Sequence, residues 1–229
     1  MAVSPVMKRL EALGTAQNRK VYARHGDVEP LFGVSFANLR KLGKELGTDS
    51  GLASELWADG NHDARVLATL IADPRETSAS QLDGWARDLR NYVVTDAFAG
   101  LVSRTRHARS RAEKWARSKD EWIGRAGWTL VAHLAMAGDD LSDDYFEDRL
   151  ATLEREIHAR KNGTRYAMNS ALIAIGGRNA ALRKKALAAA KRIGTVHVDH
   201  GETGCKTPDA ARYIVKMADH RRSKAGARR

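Results

Sequence analysis

The chain has 229 residues, of which 43% are hydrophobic and 29% charged, a balance typical of a globular protein rather than a disordered one. No stretch approaches the ~18 apolar residues that a membrane-spanning helix requires, and the N-terminal segment MAVSPVMKRLEALG lacks the apolar core of a secretory signal. The net charge of +11 predicts a polyanionic partner, nucleic acid first, although simple solubility also accounts for such a charge. The single Cys205 excludes an internal disulfide, so nothing requires an oxidising compartment and we expect a cytoplasmic protein.

Helix signals occur along the whole chain, and strand signals are nearly absent. In the N-terminal half, residues 34–47, 51–60 and 62–73 read as short amphipathic helices. Each segment is bounded by residues that commonly begin or end helices. The first part of the chain is therefore predicted to consist of short helices joined by tight turns.

The segment NYVVTDAFAGLV, residues 91–102, contains a carboxylate among apolar residues and leaves two alternatives open. In the first, Thr95 or Asp96 caps a helix that begins at Ala97, which is a common role for these residue types. In the second, one helix runs through Asp96, with Tyr92 four residues earlier on the same edge. The second alternative requires a cationic or hydrogen-bonding partner for Asp96, because an unpaired buried charge is unfavourable.

Turn and capping residues divide the C-terminal half into further helices. The predicted starts and stops are a Ser118/Glu121 capping box, a stop at Gly138, a start at Ser142, a stop at Asn162-Gly163, a stop at Gly176-Gly177, a cap at Asn179, a stop at Gly194, and a Thr207 cap followed by Pro208 at the first helical position. Together with the first half, this gives roughly a dozen helices without a long linker.

The pattern predicts an all-α fold, either a globular bundle or an α-solenoid of helix pairs. We expect one domain over residues 1–218 and a basic, disordered tail over residues 219–229, where five basic residues face one acid. The absence of coiled-coil heptads favours a monomer. The segment HVDHGETGCK, residues 197–206, contains metal-competent side chains, but their order matches no zinc spacing, so we expect a loop without a metal ion.

Several segments, in order, resemble the AlkD-like DNA alkylation repair family, which are DNA glycosylases built from HEAT-like repeats. These segments are VYARHG, LFGVSFANLRKLGKEL, NYVVTDAF and SKDEWIGRAGWTLVAHL, and the similarity runs from about Thr15 to about Lys216. The resemblance implies a curved solenoid of antiparallel HEAT-like helix pairs whose basic concave face holds double-stranded DNA. It also implies removal of bases alkylated at a ring nitrogen, such as 3-methyladenine and 7-methylguanine, without a cofactor.

The resemblance also assigns site residues. Asp96 matches the aspartate of the active members and Arg125 the arginine, while Tyr92 stands where an aromatic residue, usually tryptophan, is expected. Tyr22 looks like a further aromatic residue of the site. A later tryptophan of the family is replaced here by Asn169 and Ser170, in the segment YAMNSAL.

Duplex binding is expected to come from basic residues at helix ends and turns. The candidates are Arg40, Lys41, Lys44, Arg104, Arg106 and Arg109, with Arg165 and Lys206 as weaker ones. Trp128, three residues after Arg125, is a further candidate to face the DNA, whereas most of the five tryptophans are expected in the core.

Three functions follow as hypotheses. The first is a DNA glycosylase that hydrolyses the N-glycosidic bond of N3- or N7-alkylated purines, with Asp96 stabilising an oxocarbenium-like transition state and Arg125 clamping a phosphate. The alternative is a non-catalytic helical-repeat protein that binds damaged or branched DNA, which Tyr92 and the Asn169-Ser170 replacement favour. A third is a scaffold for another protein, to which the acidic segment DDLSDDYFEDR, residues 139–149, could contribute.

Overall fold

All regular secondary structure in the described part of the chain is helical, which confirms the all-α prediction. The structure is a computed structural model that describes residues 3–24, 28–137 and 141–226. The chain divides into two compact units, Met1–Ala108 with His200–Gly204, and Arg109–Asp199 with Cys205–Arg229, where the sequence predicts a single domain over residues 1–218. None of the described helices combines the length and apolar character that crossing a bilayer requires.

Seven helices of the first unit follow one another through short connections. They are α1 (Val3–Leu13), α2 (Ala16–Ala23), α3 (Phe36–Leu46), α4 (Ser50–Asp59), α5 (His62–Ile71), α6 (Ala79–Arg87) and α7 (Tyr92–Val102). Most begin at a polar residue whose side chain accepts a hydrogen bond from a backbone N–H of the first turn, which satisfies an otherwise unpaired donor. These caps are Thr15, Ser35, Asp49, Asn61, Ser78 and Asn91.

Helix α5 lies at the centre of the first unit and contacts α3, α4 and α7. An aromatic cluster lies beside it: Trp57 and Trp85 stack with ring centroids 4.4 Å apart, and Phe98 of α7 tilts against both. All three side chains are buried, and each such ring removes a large apolar area from water. This cluster fixes α7, and with it Tyr92 and Asp96, on the body of the unit.

The described residues of the second unit form six helices and one short 3₁₀ turn. They are α8 (Ala108–Trp115), α9 (Glu121–Ala137), α10 (Asp143–Glu156), the 3₁₀ turn (Ile157–Ala159), α11 (Asn162–Arg178), α12 (Ala180–Ile193) and α13 (Ala210–Gly226). Helix α11 lies at the centre, in contact with α9, α10, α12 and α13, and most of its residues are buried. The apolar run in its sequence suits a helix that is covered on several sides.

Two predicted helix stops, Gly176-Gly177 and Asn162-Gly163, lie within a helix instead. Helix α11 continues through Gly176 and Gly177. Because these residues have no Cβ, α13 can lie directly on their backbone. A Cβ at Gly176 would lie 2.8 Å from Ile214 Cδ1, and one at Gly177 would lie 2.6 Å from Met217 Cε. Asn162-Gly163 likewise begins α11, whereas α10 ends earlier, in the 3₁₀ turn.

Two helix starts are shifted by two residues relative to their predictions. Asp120 rather than Ser118 caps α9, since Asp120 Oδ1 accepts from the backbone N–H groups of Trp122 at 3.0 Å and Ile123 at 2.9 Å. At α13, Asp209 Oδ1 accepts from the Arg212 backbone N–H at 2.8 Å, so this helix begins two residues after Pro208.

Other predicted boundaries are confirmed, namely the Asn179 cap, the Gly194 stop and the Ser142 start. The predicted stop at Gly138 lies outside the described residues. Helix α13 is assigned through Gly226, and residues 227–229 lie outside the described chain. A disordered tail over residues 219–229 stays a prediction.

Replacing Gly127 by Ala should lower the free energy of unfolding by roughly 2–3 kcal/mol. A Cβ at Gly127 of α9 would overlap the backbone of Trp115 and lie 2.8 Å from Ala116 Cα, and backbone atoms cannot rotate away. Gly100→Ala is the matched control, because no described atom outside its own helix lies within 4 Å of a Cβ built at Gly100. That control should stabilise the protein by about 0.5–1 kcal/mol. Urea denaturation checks both variants, and equal midpoints would contradict the close approach.

Candidate nucleic-acid interface

Helix α7 carries the central pair of the predicted site and runs without interruption through Asp96. Its cap is Asn91, whose Oδ1 accepts from the Val94 backbone N–H at 3.1 Å. The Thr95 hydroxyl donates to the Asn91 carbonyl at 2.7 Å and therefore belongs to the helix interior. Of the two alternatives left open by the sequence, the continuous helix is confirmed. Tyr92 and Asp96 are both half-buried and lie one helical turn apart on the same edge.

Tyr22 lies in the same unit as Asp96, and its hydroxyl group is already engaged. The hydroxyl donates to the Val34 carbonyl at 3.0 Å, and the ring tilts against His62 with centroids 5.7 Å apart. Burial raises the pKa of the Tyr22 phenol, and the nearby Asp63 carboxylate raises this pKa further. The phenol therefore stays protonated at neutral pH, and its half-exposed ring is the part available to a ligand.

The loop between α2 and α3 is held by a fully buried carboxylate. Asp63 Oδ2 accepts from the backbone N–H groups of Phe32 at 2.8 Å and Gly33 at 2.9 Å, and its Oδ1 accepts from Val34 at 3.2 Å. His62 Nδ1 lies 3.6 Å from the same carboxylate. Three converging donors explain how this charge is accommodated in the core.

A cavity of about 40 Å³ lies next to the start of α7, with His62, Arg65, Arg90 and Asn91 among its lining residues. Burial lowers the pKa of Arg65, and the Asp88 carboxylate opposes that shift. The Arg65 guanidinium donates to the Asp88 carbonyl at 3.1 Å. A volume of this size accommodates about three water molecules and is too small for a nucleobase.

The cationic candidates of the first unit lie on its surface. Arg40, Lys41, Lys44, Arg104 and Arg106 are all exposed. Arg40 stacks over the Phe36 ring at 4.7 Å, and Arg104 makes long hydrogen bonds to the carbonyls of Gly100 and Thr69. These contacts leave the side chains accessible to a polyanion, and their role in DNA binding stays a prediction.

Arg125 belongs to the second unit, where it is anchored between α9 and α11. Arg125 is buried, with 5% of the residue exposed, and its Nη1 donates to the Gly163 carbonyl at 3.3 Å. The guanidinium also lies 5.2 Å from the centroid of the Tyr166 ring. A cation–π contact of this kind orients the guanidinium within the unit. The phosphate-clamping role that the resemblance assigns to Arg125 stays a prediction.

Three other candidates of this unit have structural roles instead of the predicted DNA contacts. Trp128 is completely buried, because a position three residues after Arg125 falls on the face of α9 turned into the core. Asn169 is 1% exposed, and its amide donates to the Pro208 carbonyl at 2.9 Å. Arg165 is occupied by backbone carbonyls, at 2.8 Å from that of His197 and from that of Arg160. Their side chains are engaged in holding the unit together.

Arg109 and the 197–206 loop complete the candidates. Arg109 is exposed and forms an ion pair with Glu113 at 3.0 Å. The loop is held by Asn162, whose side chain donates to the Asp199 carbonyl at 2.6 Å and accepts from the Asp199 backbone N–H at 2.8 Å. Within the described ranges, no group of three or more His, Cys, Asp and Glu side chains is arranged to hold a metal ion.

Sequence reasoning missed Asp63 and Tyr166, which position the residues around them. Asp63 follows the Asn61 cap in the segment NHDARV, and this position in the first helical turn was a signal for a carboxylate that binds backbone donors. Tyr166 precedes Asn169 by one turn, but only the fold shows that its ring lies beside Arg125.

The arrangement of these helices matches that of a solved structure. The match has a TM-score of 0.88 and 32% sequence identity, and it covers 96% of this chain and 95% of that chain. The matching protein is described as one of a new family related to the HEAT-like repeat DNA glycosylases, with affinity for branched DNA structures. The present chain is therefore a HEAT-like helical-repeat protein.

Residues 6–214 match the DNA alkylation repair enzyme family. The uncharacterized protein Lin0241 of Listeria innocua is 31% identical over 214 residues, which cover 90% of this chain and 93% of that protein. The uncharacterized protein Lmo0209 of Listeria monocytogenes is 30% identical with the same coverage. The chain belongs to the DNA alkylation repair enzyme family, as the sequence motifs predict.

Proposed function

We propose that this protein binds double-stranded DNA and recognises branched DNA structures. The observation that carries the proposal is the match over 96% of the chain, at 32% identity, to a protein with affinity for branched DNA. The net charge of +11 supports a polyanionic partner. Asn169, which replaces the expected tryptophan, is buried and engaged with the backbone, which favours binding over the usual base-removal site.

The first unit offers a defined basic surface for this role. Arg40 and Lys44 are exposed and lie one turn apart on α3, so both can approach the same DNA backbone. The Phe36 ring beneath the Arg40 guanidinium restricts its motion and lowers the entropy that would be lost on binding. These two residues are the proposed phosphate contacts of α3.

We expect the protein to bind a four-way junction more tightly than a fully paired duplex of the same length, as measured by fluorescence anisotropy. The double variant Arg40→Ala/Lys44→Ala should weaken both complexes and lower the magnitude of the log–log salt slope by about 1.8, since each phosphate contact on B-DNA contributes about 0.9. Lys185→Ala is the control, because Lys185 pairs with Glu147 in the other unit. Equal affinity for junction and duplex would contradict branch recognition, and an unchanged salt slope would remove α3 from the interface.

Removal of alkylated bases is a second candidate, and the continuous α7 helix favours it. Asn91 caps α7, so Asp96 lies inside the helix and not at its start. Asp96 is half-buried and lies one turn from Tyr92, an acid–aromatic pair on one helical edge. Such a pair is what a reaction with developing positive charge requires.

A purine alkylated at N3 or N7 is cationic and therefore a good leaving group. Its bond to the sugar breaks with little help from a general acid, and positive charge builds on the deoxyribose. An ionised Asp96 would stabilise that charge and orient the attacking water. The Tyr92 ring would contact the cationic base through a cation–π interaction of ~0.5–2 kcal/mol.

A further inference from the structure

A cleft of about 520 Å³ lies along the first two turns of α13. Lys206, Pro208, Arg212, Tyr213 and Lys216 are among the residues that line it. Its volume falls in the range of sites that hold a nucleotide-sized ligand. The cleft belongs entirely to the second unit.

Helix α13 presents two different faces, and the cleft lies on the outer one. The inner face carries Ile214, which is fully buried against Gly176 of α11. The outer face carries Arg212, Tyr213 and Lys216 at helical spacing, and all three are exposed. Because α13 lies directly on the α11 backbone, the outer face is displayed by a rigid support.

The chain segment that leads into α13 is fixed by Asn169. The buried Asn169 amide donates to the Pro208 carbonyl at 2.9 Å, and this hydrogen bond holds the end of the cleft against α11. A tryptophan at this position could not donate in the same way to the Pro208 carbonyl without displacing the segment. Asn169, which stands where the family has a tryptophan, thus helps to form the cleft.

The lining combines an exposed aromatic ring with cations. Tyr213 is 46% exposed, and Lys216 Nζ lies 5.9 Å from its ring centroid. Lys206 and Arg212 add two further positive charges, and in the described part of the chain no carboxylate forms an ion pair with either side chain. The Asp209 carboxylate of the cleft accepts the Arg212 backbone N–H as the helix cap. Proteins commonly bind single-stranded nucleic acid with such a combination: the bases stack on the accessible ring, and the cations bind the phosphates.

We propose that this cleft binds an unpaired nucleotide of branched DNA, with its base stacked on Tyr213 and the adjacent phosphates bound by Lys206, Arg212 and Lys216. The inference rests on the proposed function in that branched DNA supplies the unpaired strand. A paired duplex cannot use the ring, because its bases are already stacked on one another. The cleft would therefore add affinity only where a strand leaves the duplex.

The test compares binding of three DNAs by fluorescence anisotropy: a forked duplex with a single-stranded arm that contains 2-aminopurine, a fully paired four-way junction, and free oligothymidine. Tyr213→Ala should weaken binding of the forked DNA and of oligothymidine roughly 5- to 100-fold and leave the paired junction unchanged. Tyr213→Phe keeps the ring and should bind like the wild type. Val215→Ala is the control, since Val215 is 48% exposed on the same helix but does not line the cleft.

The outcomes separate the two proposals. If the wild type prefers branched DNA and Tyr213→Ala binds the fork unchanged, the cleft assignment is overturned while branch recognition stands. If the wild type does not prefer branched DNA but binds oligothymidine through Tyr213, the cleft stands and the proposed function fails. Displacement of the single strand by polyglutamate at equal charge concentration would overturn the assignment in favour of an acidic protein segment.

A second measurement needs no change at the cleft. The only cysteine of the chain, Cys205, is exposed and directly precedes Lys206. DNA that carries a mixed disulfide on a short tether can exchange with the Cys205 thiolate, which forms a protein–DNA disulfide and releases the small thiol. Tethers on the single-stranded arm should crosslink faster than tethers in the paired part, and equal rates would overturn the placement of the arm.

Discussion

Replacing Asp63 by Ala should lower the free energy of unfolding of the first unit by about 3–5 kcal/mol. The Asp63 carboxylate is fully buried and is the acceptor for three successive backbone N–H groups, those of Phe32, Gly33 and Val34. Alanine would leave these donors without an acceptor in a site that water reaches poorly. Each unsatisfied buried donor is unfavourable by about 1–3 kcal/mol.

Urea denaturation and hydrogen exchange of the three loop amides measure this effect. Asp63→Asn retains one acceptor oxygen but turns an NH₂ group toward N–H donors, so an intermediate loss of about 2 kcal/mol is expected. Asp59→Ala is the control, because Asp59 is exposed and accepts a single backbone hydrogen bond, from Asn61 at 3.2 Å. If Asp63→Ala unfolded at the same urea concentration as Asp59→Ala, the carboxylate would not be the anchor of the loop.

The same variant connects stability to the candidate site. The Tyr22 hydroxyl donates to the Val34 carbonyl, so the loop is held from one side by Asp63 and from the other by Tyr22. Releasing the Asp63 side would let the loop and the Tyr22 ring move together. The position of this aromatic residue, which the family resemblance places in the site, thus depends on a carboxylate buried beneath the loop.

Local signals in the sequence predicted several helix boundaries. Asn179 and Gly194 act at the ends of α12 as predicted, because a cap requires only residues near it in the chain. At α7 the same reasoning left two alternatives, since Asn91, Thr95 and Asp96 are all suitable caps. The choice was decided by the apolar face of α7 packing on the core, which is a long-range effect.

Glycines and buried polar groups could not be predicted in this way. Gly176 and Gly177 look like a helix stop, yet they allow α13 to approach the backbone of α11. The sequence does not distinguish these roles, because the second depends on a helix that lies far along the chain. Asn169 illustrates the same limit: its residue type is visible in the sequence, but its partner, the Pro208 carbonyl, is set by the fold.

Which basic residues stay exposed and which hold the backbone also depends on the fold. Arg40 and Arg165 are both arginines on helices, and charge alone predicts the same role for both. Arg40 is exposed over Phe36, whereas Arg165 donates to the carbonyls of His197 and Arg160. An arginine with five donors often satisfies backbone carbonyls at helix ends, and only the fold shows which carbonyls are within reach.

The second large effect is expected at Asp96. On duplex DNA that carries 7-methylguanine or 3-methyladenine, Asp96→Asn should lower the rate of base release about 10²–10³-fold if the second candidate function holds. Asparagine has the same shape but no charge, so it loses the electrostatic stabilisation of an oxocarbenium-like transition state. Binding of the same DNA should change little, because a carboxylate contributes no attraction to a phosphate backbone.

Single-turnover release of the methylated base, measured against protein-free DNA, separates the two candidate functions. Asp148→Asn is the matched control, since Asp148 is exposed on α10 and its loss of charge should leave the rate unchanged. If the wild type binds the DNA but releases no more base than the protein-free sample, base removal is rejected and branch recognition remains. Loss of release in Asp96→Asn with unchanged DNA affinity would show that the carboxylate acts on the transition state, because a group needed only for folding or binding would lower both quantities together.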